Sequence, residues 1–462
     1  MYFIGLDTQY PTAEGKVTRR VHLDGAASPL ASSLLLETYA ELLPHYSNSH
    51  SYVHNSARIS TDAFHWAHDT VLNCLQANPE DYACIFSGSG CTDPINRLAR
   101  GLAERQRERP IVLISAMEHH GNDLPHRLKG NEIVYIPLTG EGPNLGQIDL
   151  EWLADYLHVN GQKVNYLAVS TISNVTGIAN DIKEIVKLSH AVGSYVIVDA
   201  AQSIAHQPHS DLFDDDVKTD FLVFSGHKLY APSTPGVLIA RKNLMAEMSG
   251  QNLGGGSVLD VSPFDYQLSE ELPEREQSGT PNLMGAVALA RIFSALVAED
   301  LAKVESKEQG LMDYLVSNIQ QRDFLQWYGD PSLSRLGATA FNHRDLDHGL
   351  FAAMLNDYHN IALRNECFCA HPYVSALLKQ ELWEIDIDDM SEHDLNDMVD
   401  RRRGMVRASI SHYTSKADID ALFKAIDDVH ENSAARKSEY DYLGRGVYQH
   451  RTHRVKFDIG RT

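Results

Sequence analysis

The chain has 462 residues, 43% hydrophobic and 22% charged, the profile of a folded water-soluble protein long enough for two or three domains. Its formal net charge of -22 argues against general affinity for nucleic acid or an anionic membrane, and no apolar run reaches the length of a membrane span. Five cysteines (Cys74, Cys84, Cys91, Cys367 and Cys369) are too few and too unevenly spaced for a disulfide framework. With no apolar leader in "MYFIGLDTQYPTAEGKVTRR", the expectation is a cytoplasmic protein.

From about residue 70 to 245, short apolar β-rich runs alternate with amphipathic stretches. "YACIFS" precedes the helical "TDPINRLARGLAERQ", and "PIVLISA" follows it. "NEIVYIPL" leads to "DLEWLADYL", "VNYLAVST" leads to "IKEIVKLSHAVG", and "SYVIVDA" and "DFLVFSG" follow. This alternation predicts an α/β unit whose mostly parallel sheet is covered on both faces. "GTPNLMGAVALARIFSALVAED" opens a long helical region that reaches about residue 320 and bridges to a smaller mixed α+β unit. The expected boundaries are an N-terminal segment at 1–22, a large domain at 23–300, a small C-terminal domain at 301–430, and a tail at 431–462. Within the small unit, "LLKQELWEIDIDDMSEHDLNDMVDRRR" runs acidic and then basic, which reads as an exposed insertion over about 373–403. The tail carries seven Lys/Arg against four Asp/Glu. It reads first as a partly ordered, solvated terminus, with folding back onto the acidic body or meeting a partner as the alternatives.

The chemistry-bearing residues fall where apolar runs meet polar turns. "DFLVFSGHKLYAPSTPGVLIAR" sets Lys228 between two buried strands. A lysine whose pKa is lowered by burial suits covalent chemistry with a carbonyl cofactor; the alternative is a snorkelling side chain. "SYVIVDAAQSIAH" ends a strand in Asp199, with Gln202 three residues on. A strand-end carboxylate could pair with a protonated pyridine nitrogen, or simply cap a following helix. "SGSGCTDP" places Gly90, Cys91 and Thr92 at a helix start, an anion site that is neither a dinucleotide fingerprint nor a Walker motif. "MEHHGN" offers His119 and His120; one imidazole could stack on a cofactor ring, whereas adjacent histidines rarely aim both rings at one metal.

These blocks resemble the class V aminotransferase group of fold-type I pyridoxal 5'-phosphate (PLP) enzymes, specifically the SUF-type cysteine desulfurases, with selenocysteine lyases close by. The matching stretches occur in order: "LDGAAS", "NSHSYVH", "GCTDPIN", "MEHHGN", "SNVTG", "VDAAQSIAH", "FSGHKLYAPSTPG", "GGG", "SGTPN", "CFCAHP" and "RASISHY". The resemblance implies a large domain with a mostly parallel seven-stranded sheet plus a smaller α+β C-terminal domain. It implies that Lys228 holds PLP covalently, that Asp199 faces the pyridine nitrogen, and that Gln202 and Asn174 sit near the phenolic oxygen. His119 would stack on the ring, while Gly90, Cys91, Thr92, Ser225 and His227 would form the phosphate site. Thr280 would reach the phosphate of a neighbouring subunit, which implies a homodimer with shared sites. Arg407 would clamp the substrate carboxylate, with His50 at the entrance and Asn174 nearby.

The same resemblance places the nucleophile at Cys369, within "RNECFCAHP". Cys367 then falls where the family usually has histidine, and Glu366 where it usually has glycine. The implied reaction takes L-cysteine to L-alanine with a persulfide on Cys369, passed on to a sulfur-acceptor protein. His371 or Arg364 would favour the thiolate and Glu366 would oppose it. Three rivals remain open: a selenocysteine lyase, another class V enzyme in which Cys369 is a bystander, and a non-catalytic scaffold. Two thiols without a second ligand pair make a poor metal site, and a disulfide two residues apart is strained. No reading explains why there are two cysteines.

Overall fold

A computed structural model describes residues 1–207, 209–248, 250, 252–299, 301–379 and 403–457. Its centre is a seven-stranded sheet of β1 (Tyr82–Ser87), β2 (Ile111–Ser115), β3 (Glu132–Ile136), β4 (Val164–Ser170), β5 (Tyr195–Asp199), β6 (Phe221–Ser225) and β7 (Gly236–Arg241). The spatial order is β1-β7-β6-β5-β4-β2-β3. Strands β2 to β6 pair in parallel, and β7 runs antiparallel to both β6 and β1.

Every residue of β1, β2, β4 and β6 is buried, which is why these runs read as continuously apolar rather than alternating. The pleat still sorts their side chains. Val196 and Val198 of β5 join the core that includes α1 (Asn55–Leu75), α3 (Leu150–Asn160), α4 (Ile182–Ala191) and α5 (Leu283–Val297). Ile197, between them, joins the opposite core with Ile95, Leu98 and Leu102 of α2 (Thr92–Arg105). Helices on both faces leave one end of the sheet, where the parallel strands finish, to hold a ligand.

A second core lies behind a four-stranded antiparallel sheet of β8 (Leu325–Trp327), β9 (Ala338–His343), β10 (Arg364–Glu366) and β11 (Met405–Ser409), in the order β8-β9-β11-β10. Helices α6 (Leu301–Gln320), α7 (His348–His359) and α9 (Lys416–Arg436) pack on it. Ser415 opens α9 with a capping box to Asp418. The N-terminal segment belongs partly here: Val21–His22 pairs in parallel with Ile361–Ala362, and Val21 and Leu23 enter this core.

Two expectations change. The tail is not a solvated terminus as far as His450, whereas residues 451–457 beyond it are largely exposed. A hairpin of Tyr440–Tyr442 and Tyr448–His450 folds back on the small core, where Tyr358 donates to Glu439 at 2.8 Å and Tyr448 donates to Asp347. The exposed insertion does not begin at residue 373 either, because Tyr373, Val374, Leu377 and Leu378 of and beside α8 (His371–Leu377) are buried in the large core. Residues 380–402, which hold most of that acidic run, lie outside the described residues. Among the described residues, no helix is long and apolar enough to cross a membrane.

Candidate active site

Five strand ends converge on a cavity of about 760 Å³. The turn after β1 brings Gly90, Cys91 and Thr92; the turn after β2 brings His119; the turn after β4 brings Asn174; β5 ends in Asp199, followed by Gln202; and the turn after β6 brings Ser225, His227 and Lys228. Arg364 of β10, Arg407 of β11, and Phe368 and Cys369 of the loop that follows β10 complete the lining. The sequence therefore scatters the lining over more than 300 positions, and the sheet collects it.

Lys228 lies in the 3-10 turn Gly226–Leu229 between β6 and the start of β7. Burial lowers its pKa, opposed mainly by Cys91 and Asp199, so the amine gives up its proton more readily than a surface lysine. Asp199 is buried, and its Oδ1 accepts the Ala201 backbone N–H at 2.9 Å. No helix follows it, so the helix-cap alternative is replaced by this local turn. Burial raises the Asp199 pKa, while the Ala201 N–H and Lys228 work against that rise.

His119 caps its own turn: its Nδ1 accepts the Gly121 N–H at 2.9 Å. Burial, with help from Lys228, pushes its pKa down to about 4, so the ring is neutral near pH 7 with its proton on Nε2. The His119 and His120 rings sit 6.4 Å apart and tilted, and the described residues hold no cluster of three or more His, Cys, Asp or Glu suited to a metal. Gln202 Nε2 donates to the Ala26 carbonyl at 3.0 Å, which ties the "LDGAAS" stretch to the same wall.

Helix α2 starts at the cavity, and Cys91, its N-cap residue, makes no side-chain capping bond. A helix N-terminus left this way, facing a cavity, is a site for an anion. The Cys91 N–H donates to Ser225 Oγ at 2.9 Å, which holds the loop against β6. Space is tight around it: a Cβ on Gly90 would stand 3.0 Å from Ser225 Oγ, and one on Gly121 would stand 3.1 Å from both Thr92 Oγ1 and His119 Nδ1. A buried amine, a buried carboxylate across from it, a neutral imidazole and an uncapped helix start together fit a phosphorylated pyridine aldehyde.

Arg407 is buried on β11. Its Nη1 donates to the Asn174 carbonyl at 2.7 Å, and its guanidinium lies 4.8 Å from the Phe368 ring centre. Asp24 is its carboxylate partner, at 3.4 Å, and among the described residues Arg407 Nε has no hydrogen-bond partner. A buried guanidinium with an unused donor has capacity for a ligand carboxylate. Asn174 Nδ2 also donates to the Phe368 carbonyl at 2.7 Å, so one asparagine ties the large domain to both Arg407 and the loop that carries Cys369.

That loop is a tight turn. Ala370 N–H donates to the Cys367 carbonyl at 2.9 Å, and the two central residues, Phe368 and Cys369, have φ of +53° and +55°. This is the mirror-image turn that usually requires Gly or Asn. Cys369 is exposed on the cavity lining. His371 is not turned toward it: its Nε2 lies 3.0 Å from Cys367 Sγ, so the imidazole expected to serve Cys369 serves its neighbour.

Thr280 and His50 stand outside the cavity lining. Both are exposed, and His50 Nε2 lies 3.4 Å from the Gly279 carbonyl, next to Gly256. Sequence reasoning gave no role to Glu118 or Asp24. Glu118 is a fully buried carboxyl beside His119 that accepts from Ser170 N–H at 2.8 Å and Asn122 Nδ2 at 2.7 Å. Its signal was a carboxylate three residues past a strand whose first four residues are apolar.

Residues 21–422 match the family described as aminotransferase class-V. The chain belongs to that family. Members of the family are PLP-dependent, and this protein is a PLP-dependent enzyme with the seven-stranded fold-type I architecture. A protein named cysteine desulfurase from Escherichia coli O139:H28 (strain E24377A / ETEC) is 29% identical over 419 residues, covering 88% of this chain and 93% of that protein. The crystal structure of the Escherichia coli cysteine desulfurase CsdA has a TM-score of 0.72 at 27% identity, covering 89% of this chain and 95% of that one. The apo cysteine desulfurase of Thermococcus onnurineus NA1 has a TM-score of 0.77 at 25% identity, covering 94% and 99%.

Proposed function

We propose that this protein is a cysteine desulfurase that converts L-cysteine to L-alanine and leaves a persulfide on Cys369 for a sulfur-acceptor protein. The observation that carries this reading is the shared cavity: Lys228, Asp199 and His119 from the large domain face Arg407 and an exposed Cys369 from the small one. The similarity to proteins named cysteine desulfurase supports it.

Lys228 would hold the cofactor covalently, Asp199 would face its ring nitrogen, and Gln202 and Asn174 would stand by its phenolic oxygen. Gly90, Cys91, Thr92, Ser225 and His227 would surround the phosphate at the start of α2. PLP, when bound, supplies an electron sink for the pair left on the substrate Cα. Neutral His119 would cover the ring without adding a charge that would compete with Asp199. Arg407 binds the substrate carboxylate through its free Nε edge, and this binding fixes which Cα bond faces Lys228. The Lys228 amine, once released, takes the Cα proton at Nζ. The Cys369 thiolate attacks the substrate sulfur: an S–S bond forms, the Cβ–S bond breaks, and the three-carbon remainder is protonated and leaves as alanine.

The protein works in the cytoplasm as a homodimer in this reading, with Thr280 and His50 completing the partner's site. Support comes from their exposed position beside the hairpin that carries Val258–Val261 and Tyr266–Leu268. Leu259, Val261, Phe264 and Tyr266 there are all more than half exposed, an apolar patch suited to burial against a second copy.

Cys369→Ser tests the nucleophile. Alanine and sulfide formation from L-cysteine should disappear while the visible absorbance of the bound cofactor remains. Undiminished alanine and sulfide would remove Cys369 from the mechanism.

A further inference from the structure

The proposed reaction leaves Cys367 unused, yet the structure builds more around it than around Cys369. Cys367 Sγ lies 3.0 Å from His371 Nε2, and His371 Nδ1 lies 3.0 Å from His120 Nε2. The two imidazoles stack at 4.8 Å with their planes 4° apart. The tautomers follow from one further bond. The His371 backbone N–H donates to the same His120 Nε2, at 3.3 Å, so that nitrogen is an acceptor. His371 Nδ1 must then carry the proton it offers to His120, which leaves the His371 Nε2 lone pair facing the Cys367 thiol. Nucleophile, base and orienting group stand in line, the arrangement that activates a thiol at the moment of attack. It is unsuited to a metal, because the nitrogens bond to one another rather than converging on a point.

The two cysteines sit two positions apart in one tight turn, closed by the Ala370 N–H donating to the Cys367 carbonyl at 2.9 Å. Cys369 lines the cavity, whereas Cys367 does not; it turns instead to His371, which is exposed. Burial raises the Cys367 pKa, so the thiol keeps its proton at rest and depends on a base when it reacts.

We propose that Cys367 is a second sulfur-carrying site, an internal relay that takes sulfane sulfur from the Cys369 persulfide with His371 as general base and His120 as its positioning residue. This rests on the cysteine desulfurase reading. Cys367 Sγ attacks the outer sulfur of the Cys369 persulfide as its proton passes to His371 Nε2. A new S–S bond forms at Cys367, the old one breaks, and its electron pair stays on Cys369 as thiolate. One S–S bond replaces another, so no oxidant or reductant is needed. The transfer returns Cys369 to the cavity as a nucleophile and moves the sulfur to a residue outside the cavity lining.

The test treats PLP-loaded enzyme with L-cysteine and no acceptor, quenches over time with an alkylating agent, and locates persulfide by tandem mass spectrometry of the shared peptide. Alanine is measured in the same samples. Wild type should carry persulfide first on Cys369 and then on Cys367. His371→Gln, which can hydrogen-bond but cannot act as a base, should lower the Cys367-to-Cys369 ratio at least about tenfold. Alanine formed with persulfide confined to Cys369, or an unchanged ratio in His371→Gln, overturns the relay and leaves the desulfurase reading intact. Absence of alanine overturns both. The alkylation rate of Cys367 in a Cys369→Ser background gives a readout independent of turnover. It should fall about tenfold on adding His371→Gln, and an unchanged rate overturns the activation of Cys367.

Discussion

The strand-end wall and the cysteine loop face the same cavity but are built on opposite principles. On the wall, position is fixed from several sides. Asp199 pairs in register with Ser170 and Val223, and Lys228 sits in a turn closed by Gly236, which pairs with both Ser225 and Ser87. Gly236 permits no side chain, since a Cβ would meet the Gly90 carbonyl at 2.3 Å. In the loop, Glu366, Phe368 and Cys369 all have positive φ, and the thiol is exposed. A cofactor gains from walls that do not move, whereas a nucleophile that must reach in and then pass sulfur outward gains from a separate, loosely covered mount. Lys228→Ala is the strongest way to break the comparison. It should lower alanine formation at least about a thousandfold and abolish borohydride-trappable cofactor, with Cys369 still alkylated at the wild-type rate. A large change in Cys369 reactivity would show that the two regions are not independent.

What was readable in the sequence follows the same division. Lys228, Asp199 and the Gly90–Thr92 start of α2 each lie where an apolar run meets a polar turn, so local pattern exposes them. The antiparallel placement of β7 between β1 and β6 was not readable, because strand partners are chosen by long-range packing. The tail read as solvated because chain termini commonly are, yet Tyr440 and His450 are buried. The pairing of His371 with Cys367 rather than Cys369 depends on His120, some 250 positions away, and on a turn that sends alternate thiols in different directions. Glu118 was missed for a related reason. Its neighbours Ser115 and Asn122 are close in sequence, but Ser170 comes from another strand.

Glu118 sharpens the comparison because it ties the wall's own turns together. Its carboxyl accepts from Ser115 and Ser170 hydroxyls as well as the Ser170 N–H and Asn122 amide. Burial pushes its pKa up to about 7 from an ordinary value of 4.5, with those donors pulling the other way. The folded protein therefore holds a proton that the unfolded chain releases between these values. The resulting stability is complete below about pH 4.5 and is lost as the pH rises to about 7, a change of about 3 kcal/mol. Urea unfolding across that window should show wild type losing about that much relative to Glu118→Gln. A flat difference would mean that the donors keep the carboxylate ionised throughout and that the wall is indifferent to pH.

The smallest expected effect tests whether the loop is strained. Glu366 ends β10 opposite Met405 with φ of +92°, a region a side chain rarely occupies. Its visible compensation is an ion pair with Arg364 at 3.9 Å between two partly exposed groups, which contributes little in water. Glycine takes this backbone conformation without a steric penalty but loses more entropy on folding, so the relief of strain is only partly retained. Glu366→Gly should stabilise the protein by about 1 kcal/mol, seen as a higher urea midpoint with an unchanged slope. The same substitution removes a negative charge from the cysteine turn. If stability rises and Cys369 alkylates faster, the carboxylate was holding back the thiol; if stability falls, Glu366 is contributing a contact that outweighs its backbone cost, and the loop is better braced than its dihedral angles indicate.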